Sequence, residues 1–228
     1  QHEPAYRGIR EEHGRPEMYD TGLYERLQAF SLDDEGCQAA AELAYGELLL
    51  CGVTTLADLS SMSPWWLDLI ARSGLRGFIA PGFASSRWYM DSFHELKFNW
   101  NEQAGRKAFD EAAEFMTQAE AHPSKRLQGV VFPMQIDTCS EDLLRDCIAL
   151  AEETNRPITT HASQSQVEFL LMAKRHGVSP IKWASNIGLL GPRTTLGHAI
   201  FIDDHPSIDW RAREDLNLLV DSGTSVAH

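Results

Sequence analysis

The stretch Pro157-Ile-Thr-Thr-His161-Ala-Ser-Gln164-Ser165 decides the fold. Three residues with strand-forming side chains follow a proline, the run ends on a histidine, and a helical pattern begins near Gln164. This is typical of a strand that passes into a helix in an alternating strand and helix protein. In such proteins a polar residue at the C-terminal end of a strand points to the mouth of the sheet, where ligands bind.

The same arrangement recurs at Thr194-Thr-Leu-Gly-His198 and at Thr224-Ser-Val-Ala-His228. Three successive predicted strands each end on a histidine, which would rarely happen by chance. The C-terminal ends of parallel strands meet at one edge of a sheet. The pattern therefore predicts an active-site rim that contains His161, His198 and His228.

Helical patterns alternate with strand patterns along most of the chain. The predicted helices span residues 39–50, 64–72, 105–121, 141–154, 164–175, 181–190 and 211–222. Strands are predicted to end near residues 58, 81, 136, 161, 198 and 228, and the first three begin near 53, 75 and 127. Because a helix lies between every two successive strands, we expect a parallel sheet.

The spacing of these strand ends predicts the fold class. They lie 34 residues apart on average, close to the roughly 31 residues per unit of a (β/α)8 TIM barrel. We therefore predict an α/β protein of this type, although 228 residues are too few for eight units at this spacing. No turn-rich linker divides the chain, so we expect a single barrel domain over residues 1–228, in which residues 1–33 form an irregular N-terminal segment.

One aromatic-rich segment, residues 82–101, interrupts the alternation. It contains Trp88, Phe98 and Trp100. A long excursion above a strand end is typical of a substrate lid, but these aromatic residues also suit a packed surface loop or an oligomer contact. The sequence leaves the three alternatives open.

The composition excludes several classes of partner. Of the 228 residues 43% are hydrophobic and 23% charged, with a net charge of −13. Binding to phosphate groups needs clustered Lys and Arg, so this balance argues against nucleic acid and anionic membranes as partners. No apolar run approaches the roughly 18 residues of a membrane span. The four cysteines form no CxxC pair and lie in or beside apolar segments, which predicts buried free thiols in a reducing compartment, by default the cytoplasm.

Five blocks of the sequence resemble the amidohydrolase superfamily, in its cytosine deaminase and chlorohydrolase-like (ATZ/TRZ-type) branch. They are Glu47-Leu-Leu-Leu-Cys-Gly-Val-Thr-Thr-Leu-Ala-Asp58, Asp137-Thr-Cys-Ser140, Ile158-Thr-Thr-His161-Ala-Ser-Gln164, Leu196-Gly-His198-Ala-Ile-Phe-Ile-Asp203 and Ser222-Gly-Thr-Ser-Val-Ala-His228. Each block is weakly specific alone. Their order and their placement at strand ends make the resemblance specific over most of residues 40–228.

The resemblance implies a metal site. His161 and His198 would match the family's fifth-strand and sixth-strand ligands of a divalent metal, zinc or iron. The family completes this site with an HxH pair from the first strand and an aspartate from the eighth. His228 would contact the substrate or the developing negative charge, and Gln164 would orient the substrate. Neutral imidazole is the commonest protein ligand for such metals, and the metal activates a water for attack.

The resemblance also implies the reaction class. The chain would be a hydrolase that cleaves a C–N or C–Cl bond of a small heterocyclic or amidine-like compound, acting on carbon–nitrogen bonds other than peptide bonds. The partner would be a small-molecule substrate, and a homo-oligomer, a dimer, is expected because the family commonly forms one.

The sequence departs from the family pattern at both ends. It contains no HxH, and it stops at His228, before an eighth strand and its aspartate. We expect the chain to be the central part of a longer polypeptide, an incomplete barrel with about six of eight strands that lacks the first and the last. Open barrel edges would leave strands unpaired.

Two internal positions also depart from the family. Gln164 stands where the branch usually has a glutamate that transfers protons, and an amide cannot act as an acid or base. Glu168, one turn further along the helix, is interpreted as a helix residue, with a replacement base as the alternative. Met134 stands where the family often has a histidine, which favours a less polar substrate or a different binding mode.

Two other functions stay open. A barrel that has lost its chemistry and acts as a binding or scaffold subunit would explain Gln164 and Met134. An imidazolonepropionase-like amidohydrolase would share the metal and differ in substrate. Two aspartates are also predicted at strand ends. Asp58 is interpreted as a residue that caps or orients the neighbouring loop. For Asp137 two roles stay open, one at the start of the following helix and one in the site.

Overall fold

Parallel strands connected by helices form the fold, as the alternation in the sequence predicted. The structure is a computed structural model that describes residues 3–7, 31–91 and 95–228. Most of the irregular segment predicted over residues 1–33 lies outside the described residues, and Glu3–Tyr6 within it forms a 3-10 helix. The α-helices of the described residues are α1 (Asp34–Leu50), α2 (Trp66–Ser73), α3 (Glu102–Ala121), α4 (Glu141–Thr154), α5 (Gln166–His176), α6 (Pro180–Asn186) and α7 (Asp215–Ser222). The strands are β1 (Thr55–Ser60), β2 (Arg76–Phe83), β3 (Ser86–Tyr89), β4 (Lys97–Trp100), β5 (Leu127–Gly129), β6 (Phe132–Pro133), β7 (Ile158–Ala162), β8 (Thr194–His198) and β9 (Ser225–Ala227).

The parallel strands lie side by side in chain order. β1 pairs with β2, and β2 pairs with both β5 and β6. β7 pairs with β8, and β8 with β9. Two isolated parallel bridges, Val131 to Ile158 and Gln135 to His161, join the segment of β5 and β6 to β7. The C-terminal ends of these strands therefore follow one edge of the sheet, where α/β proteins place their sites.

The helices pack on the strands through two buried clusters. The larger cluster includes Phe83, Val131, Ile136, Leu144, Met172, Trp183 and Leu196. The smaller one lies between α1, α2 and the strands β2 and β5, and includes Tyr45, Trp66, Ile70, Leu75 and Ile79. Full burial of a large apolar side chain contributes about 2 kcal/mol to folding, so these clusters fix the strand ends that carry the polar residues.

Side-chain caps begin most of the helices near the site. The Ser140 hydroxyl accepts the Leu143 N–H at the start of α4, and Ser179 accepts the Lys182 N–H at the start of α6. Gly177 ends α5 with a φ of +76°, a left-handed conformation in which glycine is not strained. These caps and this stop are confirmed as predicted. Among the described residues, no helix combines the length and apolar character that crossing a bilayer requires.

Several predicted boundaries are wrong by a few residues. Helix α2 begins at Trp66 and not at Pro64, because the Ser63 side chain makes no cap there and Trp65 is the N-cap residue. Helix α3 begins at Glu102, three residues early, because Asn101 accepts the Ala104 N–H. Helix α7 begins at Asp215 and not at residue 211, since Arg213 has a left-handed φ of +50° that a helix excludes.

The aromatic-rich segment predicted as a loop forms an antiparallel hairpin of β3 and β4. The guanidinium of Arg175 on α5 lies over the rings of Phe98 and Trp100, 5.0 and 5.2 Å from their centroids. The Trp88 indole N–H donates to Oδ2 of Asp137 at 2.9 Å. These contacts pack the hairpin against α5 and Asp137. Of the three alternatives that the sequence left open, they agree with a packed surface element.

Candidate active site

The two histidines predicted as metal ligands lie next to each other. His161 lies near the end of β7 and His198 ends β8, and the parallel register pairs Ala162 with His198. Their ring centroids are 5.2 Å apart and their planes are inclined by 36°. The two imidazoles therefore share one end of the sheet, as neighbouring parallel strands require.

A backbone hydrogen bond fixes the orientation of the His161 ring. Its Nδ1 lies 2.8 Å from the carbonyl oxygen of Met134. A carbonyl only accepts, so Nδ1 carries the proton and Nε2 keeps its lone pair. Burial, with a smaller effect of His198, lowers the pKa of His161 to about 4, so the ring is neutral at pH 7. This neutral tautomer, with a backbone acceptor behind it, is the form in which histidine binds metals.

The backbone at both strand ends is left-handed. Ser163, His198 and Ala199 have φ values of +54°, +73° and +49°. The Ala199 N–H donates to the Ala162 carbonyl at 2.9 Å, and the Phe201 N–H donates to the Ser163 carbonyl at 2.9 Å. A residue other than glycine raises the free energy of the folded state when it adopts a left-handed conformation. Backbone strain of this kind clusters at functional sites.

His228 and Gln164, the other two predicted site residues, differ in their surroundings. His228 follows β9 and is exposed, with Nδ1 3.4 Å from the His198 carbonyl oxygen, so it lies along the same rim. Gln164 lies in the loop after β7 and is only 6% exposed. Among the described residues its Nε2 has no hydrogen-bond partner. A buried amide donor without a partner is costly and calls for a ligand or water.

The donor set fits part of a metal site. Within the described residues no group of three or more His, Cys, Asp or Glu side chains is placed to hold a metal ion. His161 and His198 are two neutral nitrogen donors, and a catalytic zinc takes three protein ligands. The described residues thus supply two histidine nitrogens, which are ligands that zinc prefers.

A cleft of about 850 Å³ opens at the C-terminal ends of β2 and β6. Met134 and Gln135, the segment that contacts His161, form one wall, and Trp88 and Ser86 on the hairpin form another. Met134 is 40% exposed, so its thioether lies at the cleft surface. The Ser86 hydroxyl is buried without a partner among the described residues. Ser86 was missed in the sequence because it begins β3, inside the aromatic-rich segment and beyond the strand end predicted near residue 81.

The two aspartates that were predicted to end strands have different roles: Asp58 lies within β1, and Asp137 follows β6. Asp58 is buried and accepts hydrogen bonds from the Tyr45 hydroxyl at 2.5 Å and the Trp66 indole at 2.7 Å. It therefore joins β1 to α1 and α2. Asp137 is fully buried, and burial raises the pKa of its carboxyl, while the bond from Trp88 lowers it.

Comparison with known proteins identifies the family. Residues 12–228 match the sequence model of the amidohydrolase family. The chain belongs to the amidohydrolase family. This confirms the resemblance carried by the five sequence blocks, which lie at or beside the strand ends described above.

Curated amidohydrolase relatives are deaminases. A 5-methylthioadenosine/S-adenosylhomocysteine deaminase of Haloarcula marismortui is 25% identical over 197 residues, 86% of this chain and 41% of the relative. That of Thermococcus kodakarensis is 28% identical over the same shares. A 5'-deoxyadenosine deaminase of Methanothermobacter thermautotrophicus is 26% identical over 191 residues, 82% of this chain and 40% of the relative. The chain spans about two fifths of the length of these relatives.

Solved structures share the fold of this amidohydrolase. An adenosine deaminase from Xanthomonas campestris with bound zinc gives a TM-score of 0.68 at 16% identity, over 87% of this chain and 40% of that one. Atrazine chlorohydrolase TrzN from Arthrobacter aurescens TC1, complexed with zinc, gives 0.66 at 17% identity, over 91% and 45%. The chain therefore has an amidohydrolase-type α/β fold.

Proposed function

We propose that this chain is the central part of a metal-dependent amidohydrolase that removes the amino group of an amino-substituted nitrogen heterocycle, of the purine type, by hydrolysis. Water adds to the ring carbon, the C–N bond breaks, and ammonia leaves. The observation that carries this proposal is the adjacent pair His161 and His198, with the His161 ring neutral and its Nε2 lone pair available. Family membership and the deaminase relatives support it.

We propose further that the chain is one domain, residues 1–228, and forms six consecutive units of a (β/α)8 barrel. The support is the parallel pairing of the strands in chain order. Among the described residues β1 and β9 each pair on one side, and their other sides would pair with strands of the remaining units. A dimer, the assembly expected from the family, is part of the same proposal.

His161 and His198 would hold a divalent ion, zinc or alternatively iron, and further ligands would complete the site. When bound, such an ion lowers the pKa of water towards about 7 and so supplies a nucleophile at neutral pH. The His161 Nδ1–H bond to Met134 keeps the ring in the ligating tautomer.

The remaining roles fall to residues around the histidines. The Gln164 amide would donate to a ring nitrogen of the substrate and orient it, because an amide cannot transfer a proton. His228 would steady developing negative charge at the rim. Met134 and Trp88 would line the apolar faces of the cleft against the flat ring.

The test uses the full-length protein and its metal content. We expect about one zinc per chain, and we expect His161→Ala and His198→Ala each to lose it together with at least about 10³-fold in kcat/KM. His122→Ala, at the end of α3, removes a histidine whose ring bonds Asp68 and Ser124 far along the chain from the site, and should change neither. A His161→Ala protein that keeps its metal and its activity contradicts the proposal.

A screen of purines, aminopyrimidines and triazines identifies the substrate class. Ammonia release from 5'-methylthioadenosine or adenosine, and none from triazines, is the expected result. Two other results redirect the proposal. A metal-loaded protein active only on other amidohydrolase substrates would favour the imidazolonepropionase-like alternative. A protein without metal and turnover would favour the binding or scaffold subunit, which the amide at Gln164 motivates.

A further inference from the structure

Glu168 lies in the first turn of α5, and its carboxylate contacts the backbone of the loop after β7. One oxygen accepts the Ser163 N–H at 2.7 Å, and the other accepts the Gln164 N–H at 2.9 Å. Its own N–H donates to the Ser165 hydroxyl at 3.0 Å. This is a reciprocal arrangement of cap and carboxylate like that of a capping box, extended over two amides.

The contacts of Glu168 argue against a role as a replacement base. The residue is only 1% exposed, and each carboxylate oxygen already accepts a backbone N–H. A general base has to reach the substrate or a water beside it. Glu168 faces the backbone of the site loop and not the cleft.

The loop that Glu168 contacts is strained and carries a buried amide. Ser163 has a φ of +54°, which costs free energy in a residue other than glycine. Two hydrogen bonds from the loop to one carboxyl offset this cost. They also determine where the Gln164 side chain, with its unpartnered Nε2, points.

A second buried carboxyl, that of Asp137, is close enough to Glu168 for its charge to act on it. Asp137 accepts the Trp88 indole N–H through Oδ2, and its carbonyl oxygen accepts Nη1 of Arg175 at 2.9 Å. Arg175 lies two helical turns after Glu168 on α5, so the two residues share one side of the helix. Burial raises the pKa of Glu168, and the charge of Asp137 raises it further. Helix α5 therefore contacts both segments: Arg175 bonds to Asp137, which bonds to Trp88 of the hairpin, and Glu168 bonds to the loop of Gln164.

We propose that Glu168 is a positioning residue, which fixes the Ser163 and Gln164 backbone and thereby aims the Gln164 amide at the substrate. The inference rests on the proposed function in so far as Gln164 acts on a substrate. Its structural half, the contact between Glu168 and the loop, is measured without any turnover.

The structural half is tested by amide hydrogen exchange of the full-length protein. In Glu168→Gln one of the two N–H groups would face an amide NH2, so exchange at residues 163 and 164 should accelerate at least about tenfold. Glu153→Gln removes an exposed carboxylate from α4 and is the matched control, with no change expected. If Glu168→Gln does not fold, the unaltered protein decides: slow exchange and downfield amide proton shifts at 163 and 164 support the proposal, and ordinary values overturn it.

The functional half is tested with 5'-methylthioadenosine as the probe substrate. Glu168→Gln should raise KM about tenfold and change kcat less than about threefold, because orientation and not proton transfer is affected. In a Gln164→Ala background the same change should add less than about twofold, because the two residues act through one another.

The outcomes separate this proposal from the proposed function. Faster exchange with an unchanged KM would make Glu168 merely structural and overturn the positioning role, as would full additivity with Gln164→Ala. If the protein turns over none of the screened compounds, the proposed function is wrong. The exchange result then decides alone whether Glu168 fixes the loop.

Discussion

Gly197 lies directly across the β7–β8 ladder from His161, and a Cβ atom on Gly197 would stand 2.8 Å from Cδ2 of the imidazole ring. Carbon atoms do not approach this closely without displacement. The ring cannot turn away freely, because its Nδ1 donates to the Met134 carbonyl. The absence of a side chain at residue 197 therefore makes room for the His161 ring in its ligating orientation.

Gly197→Ala should weaken metal binding without unfolding the protein. The added methyl group displaces the His161 ring or lengthens its bond to Met134, and loss of a ligand's orientation costs about 10- to 100-fold in metal affinity. Competition with a zinc chelator measures the change in the full-length protein. Gly46→Ala, exposed on α1 with open space around its Cβ position, is the control and should leave the affinity unchanged. Equal affinities of the two variants would contradict the steric argument.

The ion pair between Arg156 and Glu120 should stabilise the fold more than the surface pairs do. Arg156 is 7% exposed, and its guanidinium donates to both carboxylate oxygens of Glu120 at 2.8 and 2.9 Å. Glu120→Ala leaves this buried cation without a carboxylate partner, and the Thr117 hydroxyl that also bonds it is neutral, so we expect a loss of about 3 kcal/mol in the free energy of unfolding. Glu111→Ala breaks an exposed pair with Lys107 and should cost below about 0.5 kcal/mol. Urea unfolding measures both, and equal losses would contradict the prediction.

The sequence predicted the parts of the site that depend on local pattern. A strand followed by a helix places its last polar residue at the sheet edge, so the sequence alone predicts that His161 and His198 lie together. The register between β7 and β8 was not predictable, because it depends on packing across the sheet. For that reason the role of Gly197, opposite His161, was not foreseen.

The hairpin of β3 and β4 was not foreseen for a related reason. Its pairing is stabilised by contacts with Arg175 and Asp137, which are distant in the sequence. The strand predicted over residues 127–136 is interrupted, with β5 and β6 as short paired segments and isolated bridges at Val131 and Gln135. Patterns of apolar residues indicate that a segment is extended, and they do not indicate where its hydrogen bonds to neighbours stop.

The stability of the protein should fall between about pH 4 and pH 6 because of Asp215. This residue is fully buried, accepts hydrogen bonds from the Ser179 hydroxyl and the Asp203 N–H, and has a pKa raised to about 6 by burial. Since the folded pKa lies above the unfolded value of 3.8, the folded state binds the proton more tightly. Its stabilising effect is present below about pH 4 and is lost as the pH rises through 6.

Asp215→Asn removes this ionisation and keeps an acceptor oxygen. Relative to the unaltered protein, the free energy of unfolding of the variant should increase between pH 4 and pH 7 by on the order of 2 kcal/mol. Urea unfolding at a series of pH values measures it. Asp221→Asn, exposed on the same helix, is the control. Parallel pH profiles of all three proteins would show that Asp215 does not titrate in this range.

Arg175 should determine how firmly the hairpin of β3 and β4 packs. Because Trp88 of the hairpin lines the cleft, Arg175 should also affect the shape of the cleft. Its guanidinium lies over Phe98 and Trp100 and donates to the Asp137 carbonyl, while Trp88 contacts the Asp137 carboxyl. Arg175→Ala removes two cation–π contacts and a hydrogen bond, which together contribute about 2 kcal/mol. We expect amide exchange to accelerate across β3 and β4, and tryptophan fluorescence to shift to longer wavelength.

Arg175→Lys separates charge from shape in this contact. Lysine keeps the charge but lacks the planar group that stacks on the rings, so its exchange rates should lie between those of the alanine variant and the unaltered protein. Lys174→Ala, the exposed neighbour on α5, should behave as the unaltered protein. Because Trp88 also lines the cleft, Arg175→Ala should raise the KM for 5'-methylthioadenosine several-fold. A hairpin that loosens while KM stays constant would show that the wall formed by Trp88 does not contact the substrate.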